Sequence, residues 1–189
     1  SILNYHINQG ELYVIKKPYG YDSESPKLIE REKLNYSKIT HPFLPRFFGT
    51  IKDKNYIIIE FINGKTLDHI KEINLTYEDR NTIIFELLMI FYYFHTNELI
   101  YRDLKTNNIM IDNNKTAILI DFDRLISVNS ESSHTLNLAS CFIAPEIKNT
   151  LIYSYETDIY SLGKIIKYIM EQTESILCDK DECLKINEI

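Results

Sequence analysis

Tyr101-Arg102-Asp103-Leu104-Lys105-Thr106-Asn107-Asn108-Ile109-Met110 decides how this chain is read. The stretch puts a carboxylate, an ammonium group and a carboxamide (Asp103, Lys105, Asn108) on one short segment running into apolar sequence. A lone Asp-x-x-x-x-Asn commonly caps a turn, because both side chains bond nearby backbone. Here the surroundings argue for more. Downstream, Ala117-Ile118-Leu119-Ile120 reads as a buried strand that delivers two further carboxylates in Asp121-Phe122-Asp123. Ala144-Pro145-Glu146 and Asp158-Ile159-Tyr160-Ser161-Leu162-Gly163 follow in order. Upstream, Tyr13-Val14-Ile15-Lys16 is β-rich, and its alternation puts Lys16 on the face opposite Tyr13 and Ile15.

Around these landmarks the pattern is strands first and helices afterwards, an α+β arrangement. Glu11 to Lys17 is a short strand ended by Pro18. Ser25-Pro26 opens a helical pattern with Leu28, Ile29, Leu34 and Ile39 directed inward. Thr40-His41-Pro42 stops it, since proline disfavours helix in the residue before it. Phe43 to Thr50 and Asn55 to Phe61 read as strands joined by the polar turn Lys52-Asp53-Lys54. After Asn63-Gly64 the character turns helical for most of the remaining length, which puts a boundary near Ile62 to Lys65.

Bulk properties exclude several classes. A formal charge of −6 over 189 residues argues against a general binder of nucleic acid or anionic membrane. Ile83 to Phe94 is apolar except for Glu86, too short to span a bilayer, and reads as a helix buried all round. Cys141, Cys178 and Cys183 show no C-x-x-C spacing, so reduced thiols in an intracellular protein are the expectation.

The ordered motifs resemble those of the eukaryotic protein kinase superfamily, with a serine/threonine direction in Asp103-Leu104-Lys105 and a tyrosine-kinase-like flavour in Ile29-Glu30-Arg31-Glu32 and His41-Pro42-Phe43-Leu44-Pro45. The opening stretch is similar to H-R-D-L-x-x-x-N, with Tyr101 in place of the histidine. Asp121-Phe122-Asp123 resembles D-F-G with its glycine replaced, Ala144-Pro145-Glu146 matches A-P-E, and Tyr13-Val14-Ile15-Lys16 looks like V-A-I-K. The resemblance implies a two-lobed fold: residues 1–62 as a small β-rich N-lobe with one long helix, and 63–189 as a mainly helical C-lobe. It also implies truncation at both ends, without the Gly-rich loop and the last C-lobe helices.

The function implied by the resemblance is transfer of the ATP γ-phosphate to Ser/Thr hydroxyls of protein substrates. On the same basis Asp103 is the catalytic base and Lys105 neutralises charge on the transferred phosphate. Lys16, rather than Lys17, places its cation on the α/β-phosphates, oriented by Glu32 rather than Glu30. Asn108 and Asp121 hold Mg²⁺ through oxygen. The Glu60 carbonyl and Ile62 backbone face adenine, with Ile59 beside them as gatekeeper. Asp158 anchors the catalytic loop, and His95 is a core histidine. Arg102 implies a switch in which a phosphate on Ser127, Ser130, Ser132, Ser133, Thr135 or Ser140 pairs with its guanidinium, delivered by an upstream activating kinase. A cytoplasmic protein with neither nucleic-acid partner nor membrane span is implied as well.

Asp123, and Gly10 as the one glycine before Lys16, depart from the pattern. Gly10 suits a hairpin turn better than a phosphate lid. The alternative is therefore a pseudokinase acting as an ATP-binding or scaffold module, and the chain by itself is expected to show little turnover. A small-molecule phosphotransferase of the aminoglycoside-kinase type would lack a recognisable Ala-Pro-Glu segment.

Overall fold

The computed structural model describes residues 2–8, 11–18, 25–51, 54, 56–130 and 141–171, with backbone alone at 2–8, 25 and 26. The first part of the chain builds one antiparallel sheet from β1 (Ile2–Asn8), β2 (Glu11–Lys17), β3 (Phe47–Ile51) and β4 (Tyr56–Glu60) in the order β1-β2-β4-β3. β1 has no counterpart in the sequence reading; it pairs with β2 from Ile2↔Lys17 to Asn8↔Glu11. Gly10, read as the turn, lies outside the described residues, as do 52 and 53 of the turn between β3 and β4. In β2 the alternation holds where it matters, because Val14 and Lys16 both line the central cleft.

α1 (Ser25–Lys38) crosses between β2 and β3. Ile29, Glu32 and Tyr36 are buried on one stripe, but Leu34, read as inward, is 48% exposed. Leu34 is two positions from both Glu32 and Tyr36, about 200° around the helix, so the stripe carries a glutamate where apolarity alone would have put the leucine.

The rest of the chain is anchored by α2 (Tyr77–Thr96) and α4 (Tyr155–Glu171), which pack together, with the short α3 (Ile147–Thr150) before α4. A capping box starts α2: Asp79 N–H donates to Thr76 Oγ1 at 3.1 Å, and Thr76 N–H to Asp79 Oδ2 at 2.8 Å. Five short strands also lie in this region, where the sequence reading gave mostly helix: β5 (Gly64–Thr66), β6 (Leu99–Ile100), β7 (Ile109–Asp112), β8 (Ala117–Leu119) and β9 (Ile126–Ser127). β5, β7 and β8 form one sheet, and β6 pairs with β9. Gly64 is required at its crossing, since a Cβ there would stand 2.1 Å from the Ile111 carbonyl oxygen.

α2 corrects a second expectation. Ile83, Leu87, Ile90 and Phe94 are fully buried, whereas Phe85, Leu88, Met89 and Tyr92 are 61, 46, 36 and 66% exposed. The run Ile83 to Phe94 is apolar except at Glu86, yet only one face of it is covered by the described residues. None of the described helices is long and apolar enough to cross a membrane. Beneath the cleft the core is aromatic: Phe122 meets Tyr36 at 4.9 Å edge-on, Tyr101 at 6.1 Å and Phe94 at 6.2 Å.

Candidate active site

The segment 101–108 leaves β6 and is held from below by Asp158 of α4. Its buried carboxylate accepts Tyr101 N–H at 2.8 Å and Arg102 N–H at 2.9 Å, with His95 Nε2 3.3 Å away. Those bonds hold Arg102 at φ 69°, a left-handed conformation that is costly for a residue with a Cβ. The Tyr101 hydroxyl donates to the Ile120 carbonyl at 2.6 Å, tying this segment to the end of β8.

On that base Asp103, Lys105 and Asn108 converge. Lys105 Nζ donates to Asp103 Oδ2 at 2.8 Å; Asn108 Nδ2 donates to the same oxygen at 3.0 Å and to the Asp103 carbonyl at 2.8 Å. Arg124 Nε lies 3.9 Å from Asp103 Oδ2, a second cation that the sequence reading missed although it directly follows Asp121-Phe122-Asp123.

Across the cleft, buried Lys16 bridges two elements. Its Nζ pairs with Glu32 Oε1 of α1 and with Asp121 Oδ1 at 3.2 Å. Burial opposes charge on Lys16, but Glu32 and Asp121 outweigh it and hold its ammonium above the usual lysine value. Asp121 is the converse: burial pushes its carboxyl up, and Lys16 more than reverses this. Asp121 takes φ 68°, while Asp123 stays out of the positive-φ region, so the position where the motif has glycine makes no demand for glycine's freedom here. Burial, then the neighbouring Asp121 charge, raises the Asp123 carboxyl.

Between these groups lies a cavity of about 480 Å³, shared by Lys16, Asn108 and Asp121 with Ile59, Glu60 and Ile62. Glu32, paired with Lys16, and Asp103, bonded to Asn108, adjoin this cleft, with Lys105 on Asp103; Arg102, His95 and Asp158 stand outside its lining. Glu60 adds an exposed ion pair with Arg46 at 3.0 Å that the sequence did not signal.

Among the described residues no cluster of His, Cys, Asp and Glu could hold a metal by itself. The donor set suits an ion that takes most of its ligands from phosphate and water, as Mg²⁺ does. Asp121 keeps Oδ2 in hand, and because Asn108 spends Nδ2 on Asp103, its carbonyl oxygen is left to coordinate.

Residues 2–188 match the protein kinase domain family, and the chain belongs to it. A probable serine/threonine-protein kinase of Dictyostelium discoideum is 28% identical over 171 residues, covering 86% of this chain and 29% of that protein. Wall-associated receptor kinases 2 and 1 of Arabidopsis thaliana are each 30% identical, over 167 and 182 residues, covering 82% and 89% of this chain and 23% and 25% of theirs. The chain therefore spans about a quarter of the length of these relatives. The family uses ATP with a divalent ion and acts on proteins.

Proposed function

We propose that this domain transfers the γ-phosphate of Mg-ATP to serine or threonine hydroxyls of protein substrates. The observation that carries the reading is Lys16, a buried cation paired at once with Glu32 and Asp121, so that strand, helix and the segment carrying Asp121 meet at the cavity that Lys16 and Asp121 line. Bound Mg²⁺ would supply charge screening along the phosphates. Lys16 holds the α/β-phosphates, Glu32 fixes its direction, and Asn108 and Asp121 coordinate the ion. Asp103 orients the attacking hydroxyl and takes its proton, and Lys105, bonded to Asp103, neutralises charge on the transferred phosphate. Glu60 and Ile62 offer backbone groups to the adenine edge, on a division of the chain into lobes at 62/63. Names of relatives support the Ser/Thr class and protein substrates. ATP supply and the absence of any cysteine pairing motif favour a cytoplasmic setting for this domain.

Asp123 favours a second reading, a pseudokinase that binds nucleotide as a scaffold or allosteric module. γ-Phosphate transfer from Mg-ATP by the full-length protein, compared with Asp103→Asn, separates the two. Transfer reduced about 10²–10⁴-fold in the variant, with nucleotide affinity retained, supports the enzyme. Absence of transfer from folded, nucleotide-bound wild type supports the scaffold.

A further inference from the structure

We infer that Asn35 of α1 is a positioning residue for Asp121, acting through the backbone of the loop that carries it. Asn35 spends both hydrogens of its carboxamide on one turn: Nδ2 donates to the Phe122 carbonyl at 2.6 Å and to the Leu125 carbonyl at 2.9 Å. One turn earlier on the same side of the helix, Arg31 Nε donates to the Asp123 carbonyl at 2.6 Å. Glu32 accepts from Phe122 N–H at 3.3 Å. Three carbonyls and one amide of the segment 122–125 are thus bound by side chains of a single helix.

The geometry needs such a clasp. Asp121 sits at φ 68°, and a left-handed residue with a Cβ persists only where its surroundings over-determine it. Asp158 does this for Arg102; for Asp121 the donors of α1 do it, fixing the peptide units that come after it. The same rigid helix sets the direction of Lys16 through Glu32, so the ammonium and the carboxylate 3.2 Å from it are placed by one body. Loss of the Asn35 donors frees Asp121 while leaving Lys16 and Glu32 paired.

The inference rests on the reading that Asp121 holds the divalent ion. Its test is binding of a fluorescent ATP analogue to the full-length protein, titrated with Mg²⁺ and repeated in EDTA, beside the Mg²⁺ dependence of phosphate transfer. Asn35→Asp keeps the shape and removes both donors. An added carboxylate would by itself attract Mg²⁺, so weaker Mg²⁺ dependence has to come from lost position. The expected result is a roughly tenfold rise in the Mg²⁺ concentration for half-maximal binding, with EDTA affinity within about twofold of wild type. An unchanged Mg²⁺ midpoint, or a parallel fall of both affinities, overturns it. If Asn35→Asp does not fold, Arg31→Met removes one donor from a half-buried site; a rise of about threefold supports the clasp, and none overturns it. Wild-type binding that ignores Mg²⁺ sinks the metal assignment and the inference together. Mg²⁺-dependent binding without transfer sinks only the enzymatic reading, and the Asn35→Asp midpoint then decides the inference.

Discussion

At position 101 a tyrosine does two jobs with one side chain. Its ring lies against Phe94 at 6.1 Å with an interplanar angle of 14°, and its hydroxyl reaches the Ile120 carbonyl just before Asp121. A buried phenol needs such a partner, and here the partner is the strand end that presents Asp121. Asp123 is the other departure from the motif, and its backbone makes it less disruptive than its charge suggests. Since it holds a negative φ, Asp123→Gly gains no conformation the fold uses. The variant is expected to transfer phosphate within about threefold of wild type, measured at saturating Mg-ATP, and to unfold slightly more easily through added freedom of the unfolded chain. A gain on the order of 100-fold would mark Asp123 as a block on catalysis and favour the scaffold reading.

Among the elements, α2 shows how far hydropathy carries. Its run from Ile83 to Phe94 announced a helix, but one interrupted by a single glutamate looked uniformly buried, and half of it faces outward. The glutamate explains the inner face. Glu86 is buried, and its Oε2 accepts Ala117 N–H at 2.7 Å, pinning α2 to the start of β8. Burial raises its carboxyl above the ordinary glutamate value, more than the Ala117 bond lowers it. A group with a raised folded pKa contributes stability below its unfolded value and loses that contribution as pH rises through the folded one. Glu86→Gln keeps an acceptor for Ala117 and never ionises, so its stability relative to wild type is expected to improve between about pH 5 and about pH 8. Glu86→Leu strands the amide and is expected to cost about 1–3 kcal/mol at either pH. Urea unfolding at the two pH values checks both; a Glu86→Gln stability that falls relative to wild type as pH rises would refute the first.

Local sequence made much of the site legible because its parts are short and sterically demanding. Lys16 could be chosen from strand alternation, and Asp121 from the apolar strand before it. β5, β6 and β9 escaped notice because their identity depends on partners distant in sequence, and strands of two or three residues carry no periodicity. Leu34 was misplaced, and Asn35 and Arg31 passed over, for a related reason. A helical pattern is read by apolarity, whereas the face of α1 toward the cleft is built from Arg31, Glu32 and Asn35, whose partners are backbone atoms some ninety residues away.

For the molecule as a whole, the cationic junction between α1, segment 101–108 and segment 121–125 remains. Arg102 is buried, its Nε donates to the Arg124 carbonyl at 2.6 Å, its guanidinium lies 5.4 Å from the Tyr153 ring centroid, and its Nη2 has no hydrogen-bond partner. Burial, then the neighbouring Arg31, pushes it down to about 10. An unpaired guanidinium held among like charges is stabilised by any anion brought to it, and a phosphoryl group supplies both charge and acceptors. Ser127 and Ser130 are exposed nearby in sequence; Ser132, Ser133, Thr135 and Ser140 lie outside the described residues. If a phosphate on this segment is the switch, its binding would draw α1, the catalytic loop and the segment together, since Arg31, Arg102 and Arg124 each come from a different part of that junction. Phosphorylated and phosphatase-treated protein are then expected to differ in kcat/KM for a peptide substrate, and Arg102→Ala to bring their ratio close to one. Activation that persists undiminished in Arg102→Ala would show that the phosphate works elsewhere, and would leave the buried guanidinium as a structural bond to the Arg124 carbonyl.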